Sequence, residues 1–201
     1  MRIIAGTLRG RRLKPPSWEG LRPTSDRLRE TLFNILADRV SGARVLDGYA
    51  GTGAIGIEAI SRGAAHVTFV ERDARARALI GTNLARCGIR DGYAMIPGSF
   101  ERAINELRAR ADRGAGAGDG RFDVVLLDPP YESRPSARAG GKATDNLVTI
   151  LAATAEVIAL HGIVVLEHAR RRATPEAAGL LVRTRQVTAG DSSLSFYSCR
   201  P

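Results

Sequence analysis

Between residues 28 and 36 apolar side chains recur every three to four positions (Leu28, Leu32, Phe33, Ile35, Leu36), a spacing that predicts one buried helical face. Thr24 or Ser25 can cap that helix, Asp26 falls in its first turn, and Ser41-Gly42 can stop it. From residue 43 the pattern changes to short continuous apolar runs, read as buried strands, alternating with helical periods. The strands are expected at 43–47, 66–71, 93–98, 121–128 and 162–168, and the helices at 54–63, 74–88, 99–111 and 144–160, with Gly88 ending the second of these. The tail carries two more strand-like runs, 180–188 and 194–199, split by the turn cluster Ala189-Gly-Asp-Ser-Ser193. Five βα repeats followed by a hairpin imply an α/β, Rossmann-like, mainly parallel sheet with one antiparallel strand. Ahead of it, short apolar pieces at Ile3-Ile4 and Leu13, separated by Gly6 and Gly10, read as a small hairpin, and 15–23 as a loop. The expected division is a 1–40 extension and a 41–201 main domain.

Composition narrows this picture. The 201 residues include 44% apolar but only 5% aromatic residues, so the core must be mostly aliphatic. A formal charge of +9 argues for a polyanionic partner, nucleic acid first and an acidic membrane surface second. Six of the basic residues (Arg2, Arg9, Arg11, Arg12, Lys14, Arg22) lie in the first 24 positions against the single acid Glu19, with Arg27 just beyond. Cys87 and Cys199 are far apart, and His66, His161 and His168 are scattered, which argues against a zinc site or a disulfide framework. With no signal-like or membrane-spanning run, a soluble, cytoplasmic protein without a metal is expected, and a monomer. The Gly/Ala-rich stretch 113–120 reads as a surface loop.

In doubly wound sheets ligands bind outside the carboxyl ends of the strands. The first strand runs into Asp47-Gly-Tyr-Ala-Gly51-Thr-Gly53-Ala-Ile-Gly56, which satisfies G-x-G-x-x-G, and Glu71 follows about twenty residues on. By the glycines alone this could be a dinucleotide site. Asp47 and the three residues before Gly51 point elsewhere, because a carboxylate there repels a pyrophosphate and suits an ammonium or sulfonium ligand. That arrangement is the one S-adenosylmethionine enzymes use, with backbone N–H groups of the turn approaching the methionine carboxylate and the acid facing the cationic end. The candidate cofactor residues are therefore Asp47, Gly48, Tyr49, Ala50, Gly51, Thr52 and Gly53, with Glu71 and Arg72 after the second strand and Ser99 after the third. Glu71 can accept both ribose hydroxyls, whereas Ser99 stands where many methyltransferases place an acid near the adenine amino group.

The fourth strand ends in Asp128-Pro129-Pro130-Tyr131. Two prolines forbid further sheet pairing and donate no N–H, so the local backbone presents carbonyl oxygens without competition. The Asp128 carboxylate and the Pro129 carbonyl can accept both hydrogens of a planar amino group, turning its lone pair toward a methyl donor. Tyr131 can stack on the base that carries the nitrogen. The following segment, 132–142, can be a lid or a plain surface loop. Arg170-Arg-Arg172, after the fifth strand, becomes a phosphate-contacting patch if the basic N-terminal segment lies nearby.

Together, residues 2–13 (RIIAGTLRGRRL), 21–36 (LRPTSDRLRETLFNIL), 48–64 (GYAGTGAIGIEAISRGA) and 128–131 (DPPY) resemble the RsmD-type 16S ribosomal RNA guanine-N2 methyltransferases. The resemblance implies methyl transfer from S-adenosyl-L-methionine to the exocyclic N2 of one guanine of 16S rRNA, within small-subunit particles or their assembly intermediates. It assigns Asp47, Gly51, Gly53 and Glu71 to the cofactor, and Asp128, Pro129 and Tyr131 to the guanine. Arg11, Arg12, Arg22 and Arg27, and with them Arg9 and Lys14, are assigned to an RNA-docking extension. The family's usual acid after the third strand is not evident near Ser99. The residues themselves leave two alternatives open: an amino-methyltransferase for DNA adenine or a protein glutamine, and a non-enzymatic nucleic-acid-binding protein.

Overall fold

The computed structural model describes residues 1–19, 24–111, 121–130 and 143–200. Its spine is a sheet in which β1 (Arg44–Asp47), β2 (His66–Glu71), β3 (Tyr93–Pro97), β4 (Phe122–Leu127) and β5 (Ile158–Ala169) run parallel. The helices α1 (Asp26–Leu36), α2 (Ala54–Ser61), α3 (Ala74–Cys87), α4 (Phe100–Ala111) and α5 (Ala143–Thr154) precede or connect these strands. The described sheet has eight strands in the order β3-β2-β1-β4-β5-β8-β7-β6, adding β6 (Ala177–Ala178), β7 (Leu181–Ala189) and β8 (Ser192–Cys199). The expected mainly parallel α/β sheet with a C-terminal hairpin is therefore present, but its antiparallel part is larger than one strand. β8 pairs antiparallel with β5, β7 with β8, and the short β6 with β7.

Alternation along the strands divides the core between the two faces. Val45, Val67, Phe69, Val124, Leu126 and Phe196 pack with α1, α2 and α3, whereas Leu46, Val70, Val125, Leu127, Val164 and Tyr197 pack with α4 and α5. Gly56 lets α2 approach closely, because a Cβ there would meet Phe69 Cε1 at 2.2 Å. One expected helix is too long. Residues 158–160 extend β5 rather than α5, since Phe122 N–H donates to the Val157 carbonyl and Ile158 pairs with Phe122. Sheet pairing there outweighs a local helical period that the sequence alone favours.

The N-terminal pieces meet at one bridge, Arg2 with Arg12, closed by Ile3 N–H to the Arg11 carbonyl. They do not stand apart from the main domain. Ile3, Leu13 and the apolar face of α1, capped by Ser25, share one core cluster with Val45, Ile57 and Phe69. The buried Glu58 of α2 accepts the N–H groups of Ile4 (2.8 Å) and Ala5 (3.0 Å) and pairs with Arg62 (2.9 Å). Its neighbour Arg29, also fully buried, bonds Asp26 (2.6 Å) and the Arg2 carbonyl (2.8 Å). Gly6, at φ +81°, presses so closely on the end of α2 that a Cβ would overlap the Ser61 carbonyl. The 1–40 boundary is thus one of proposed role, not of packing.

Candidate active site at the carboxyl edge of the sheet

The turn after β1 is held by short backbone bonds: Gly48 N–H to the Leu126 carbonyl (2.9 Å), Ala50 N–H to Val70 (3.0 Å) and Gly53 N–H to Ala50 (2.7 Å). Gly51 (φ +54°) and Gly53 (φ +77°) take the left-handed conformation that such a turn requires. Gly53 is the N-cap of α2, so the first amides of that helix have no intrahelical acceptor. Those of Ala54 and Ile55 belong to residues lining a cavity of about 910 Å³, within the usual size of a small-molecule site.

Asp47 and Glu71 behave differently. The Asp47 carboxylate lies behind the turn, 3% exposed, and its Oδ2 accepts the Gly56 N–H at 3.0 Å. Burial pushes its pKa up to about 7, opposed by the Gly56 bond and helped by the nearby charge of Glu71. Sequence reading expects this acid to face a cationic ligand; in the structure it holds the turn, and it is not among the cavity-lining residues. Glu71 does line the cavity, and each of its oxygens is oriented by a backbone donor, Gly51 N–H at 2.9 Å and Asp73 N–H at 2.8 Å. An ionised carboxylate has about four acceptor positions, so capacity for ligand hydroxyls remains.

Gly48, Tyr49, Ala50, Gly51, Thr52, Arg72 and Ser99 line the same cavity. Tyr49 stacks on Phe100 with ring centroids 5.3 Å apart, and burial raises its hydroxyl pKa, with the charge of Glu101 adding to the rise. Ser99 caps α4, its Oγ accepting Arg102 N–H at 3.3 Å. Sequence reading missed Glu101, a lining acid just after β3 that arrives on the first turn of α4 rather than at the strand end. The period of an amphipathic helix hid it.

Across the cavity, β4 brings Asp128, Pro129 and Pro130, joined by Asn146 and Ile150 of α5 and by Glu167 and Arg172 from the end of β5. Asp128 is half-buried, Pro129 buried and Pro130 exposed. Tyr131, Arg22 and the segments 113–120 and 132–142 lie outside the described residues.

The sequence matches the family described as "Conserved hypothetical protein 95" over residues 1–198. It is also 35% identical over 200 residues, the full length of both chains, to a Bacillus subtilis protein named putative rRNA methyltransferase YlbH. The chain belongs to this family. Ribosomal RNA small subunit methyltransferase D of Escherichia coli is 41% identical over 131 residues, 65% of this chain and 60% of the E. coli protein. Among solved structures, a hypothetical protein of Thermus thermophilus superposes with TM-score 0.76 at 29% identity, covering 98% of this chain and 99% of that one. A putative methyltransferase of E. coli gives TM-score 0.74 at 28% identity over 100% and 98%. The chain thus has an S-adenosylmethionine-dependent methyltransferase fold, an α/β sheet of mostly parallel strands with a C-terminal antiparallel hairpin.

The family match takes in the whole basic N-terminal segment. Arg9 and Arg12 are exposed, and the Arg11 guanidinium donates to the Arg86 carbonyl at 3.4 Å. Lys14 projects an exposed side chain while its backbone is bonded to Asn83. Arg27 lines the cavity itself, together with Trp18, Glu19 and Ser25. Trp18 is a second residue that sequence reading passed over; the stiff Pro15-Pro16 pair just before it was the available signal.

Proposed function

We propose that this protein transfers a methyl group from S-adenosyl-L-methionine to the exocyclic N2 of a guanine in 16S ribosomal RNA, carried on small ribosomal subunits or their assembly intermediates. Support for rRNA methylation comes from the names of the relatives, and support for the amino-group chemistry from one observation. Asp128 and Pro129 open on the same cavity as Glu71 and the glycine turn, so an amino nitrogen and a methyl donor have one shared space. When bound, the cofactor supplies an electrophilic methyl group on a sulfonium.

The residues present fit that group. Glu71 offers a fixed carboxylate for ribose hydroxyls, the amides of Ala54 and Ile55 suit the methionine carboxylate, and Glu101 offers an acceptor for the adenine amino group. Asp128 and the Pro129 carbonyl accept the two amino hydrogens of the guanine, so that its lone pair is directed at the methyl carbon. The amino nitrogen of guanine is a poor nucleophile, and orienting it in a partly dry site is the main contribution the chain makes. Once methylated, that nitrogen is strongly acidic, and Asp128 or water takes its proton. Tyr131, next in sequence, is assigned stacking on the base. Phosphate contacts are assigned to Arg9, Arg11, Arg12, Lys14 and Arg22 along the N-terminal segment, and to Arg27 and Arg172 at the cavity. The proposed substrate makes this a cytoplasmic enzyme.

Labelled cofactor, small subunits lacking the modification and nucleoside mass spectrometry test the reading together. N2-methylguanosine at a single mapped position is expected. N6-methyladenine, or label in protein, would replace the proposal with one of the alternative amino-methyltransferases.

A further inference from the structure

Between the basic N-terminal stretch and the cofactor cavity runs a short piece of chain whose two ends are both fixed on α3. Asn83 holds one end: its Oδ1 accepts Lys14 N–H at 2.7 Å and its Nδ2 donates to the Lys14 carbonyl at 3.2 Å. Arg75 holds the other, its guanidinium carbon 5.1 Å from the centre of the Trp18 ring. Eight residues of helix separate the two anchors, a distance of about 12 Å. Four residue steps of chain span them from Lys14 to Trp18: Pro15 and Pro16 form the extended part, at about 3 Å per residue, and the chain then bends at Ser17 and Trp18. Pro15-Pro16 favours that extension in advance.

The far end of this strut reaches the cofactor cavity. Trp18 lines it beside Glu71, Arg72 and Asp73. Arg75 is itself fixed by Asp73 (2.9 Å), and the Asp73 N–H orients Glu71, the acceptor assigned to the ribose. Its near end is tied to the same site, because Asn83 Nδ2 also donates to the carbonyl of Thr52 in the glycine turn at 3.0 Å.

We propose that Lys14–Trp18 is a strut that carries Trp18 onto the adenosyl end of the cavity, making it a cofactor-contacting residue supplied by the RNA-facing segment. The inference rests on the S-adenosylmethionine reading above. A purine is flat and weakly polar on its faces, and an indole held by a cation on one side is a suitable stacking partner for it.

Trp18 is the only tryptophan in the chain, so its emission reports this site alone. The intact protein is titrated with S-adenosylhomocysteine, following tryptophan fluorescence and calorimetry in parallel. A saturable emission change with the calorimetric Kd is expected; adenosine alone reproduces its sign and homocysteine leaves emission unchanged. Trp18→Ala is expected to weaken binding about fivefold to thirtyfold, Trp18→Phe less, because a ring remains. Pro15→Gly with Pro16→Gly, which leaves every contacting side chain in place, weakens it in the same direction. Circular dichroism confirms that each variant is folded. Calorimetric binding without an emission change, or Trp18→Ala within twofold of the parent, overturns the inference and leaves the cofactor reading standing. Absence of binding to the parent protein sinks the cofactor reading, and the inference with it.

Discussion

Two neighbouring strands end in the same way and use the ending differently. β1 closes on Asp47 and β4 leads into Asp128, and the strands pair directly, Asp47 against Leu126. Asp47 is 3% exposed and spends its carboxylate on the Gly56 amide, whereas Asp128 stands half-buried on the cavity. What differs is the chain that follows. After Asp47 come glycines and then a helix whose amides need an acceptor, so the acid is drawn back under the turn. After Asp128 come two prolines, which offer no amide to satisfy. A strand-end acid is therefore drawn under the turn as a structural brace where the backbone beyond it donates, and stays at the cavity wall where it does not.

The sharpest way to break this contrast is to remove each acid in turn. Asp128→Ala is expected to lower methyl transfer by about 10²–10³-fold, the range for losing one positioned electrostatic partner of a reacting group. Cofactor affinity, measured by calorimetry, should stay within a few-fold. Lost cofactor binding instead would make Asp128 part of the cofactor site and end the distinction.

Asp47→Asn should show the opposite profile, with its effect on stability rather than turnover. The folded pKa of about 7 lies above the ordinary 3.8, so between pH 4 and 7 the folded chain keeps a proton that the unfolded chain releases. The penalty for burying the charge is absent below that window and fully present above it, so stability falls as pH rises through it. Urea melts at pH 5 and pH 8 should show the parent losing more stability than Asp47→Asn, by at most roughly 3 kcal/mol. Equal losses would mean that Asp47 is ionised throughout.

Glu71 tests the middle ground, an acid both braced and available. Glu71→Ala removes the ribose acceptor and leaves the Gly51 and Asp73 amides without their partner, for an expected loss of about 10–100-fold in cofactor affinity. A loss below threefold would show that the carboxylate serves only the turn.

The sequence carried some of this and not the rest, for definite reasons. The prolines after Asp128 were legible because their chemistry is in the residue itself, whatever the fold. The direction of Asp47 was not. Alternation along β1 puts it on the side of Val45, but only the structure says that α2 covers that side. Ile158 was misread as helix because its pairing with Phe122 is not local. Glu101 and Trp18 reach the cavity from a helix turn and from an extension packed along α3, and no period in either segment announces a site.

The smallest effect concerns the N-terminal segment, and here the structure changes which experiment is informative. Deleting residues 1–20 would strip Ile3 and Leu13 from the core and leave Glu58 without the Ile4 and Ala5 amides, so a loss of RNA binding would say little about docking. Arg9 and Arg12 offer a cleaner test, because both are exposed. Arg9→Gln with Arg12→Gln should leave urea stability and cofactor affinity unchanged and weaken binding to small-subunit particles several-fold at moderate salt. If both guanidiniums contact phosphates, the slope of log affinity against log salt should also become shallower by about two. A lower affinity with an unchanged slope would assign these arginines to shape or base contacts. An unchanged affinity would leave RNA docking to Arg11, Lys14 and Arg22 and to Arg27 and Arg172 at the cavity.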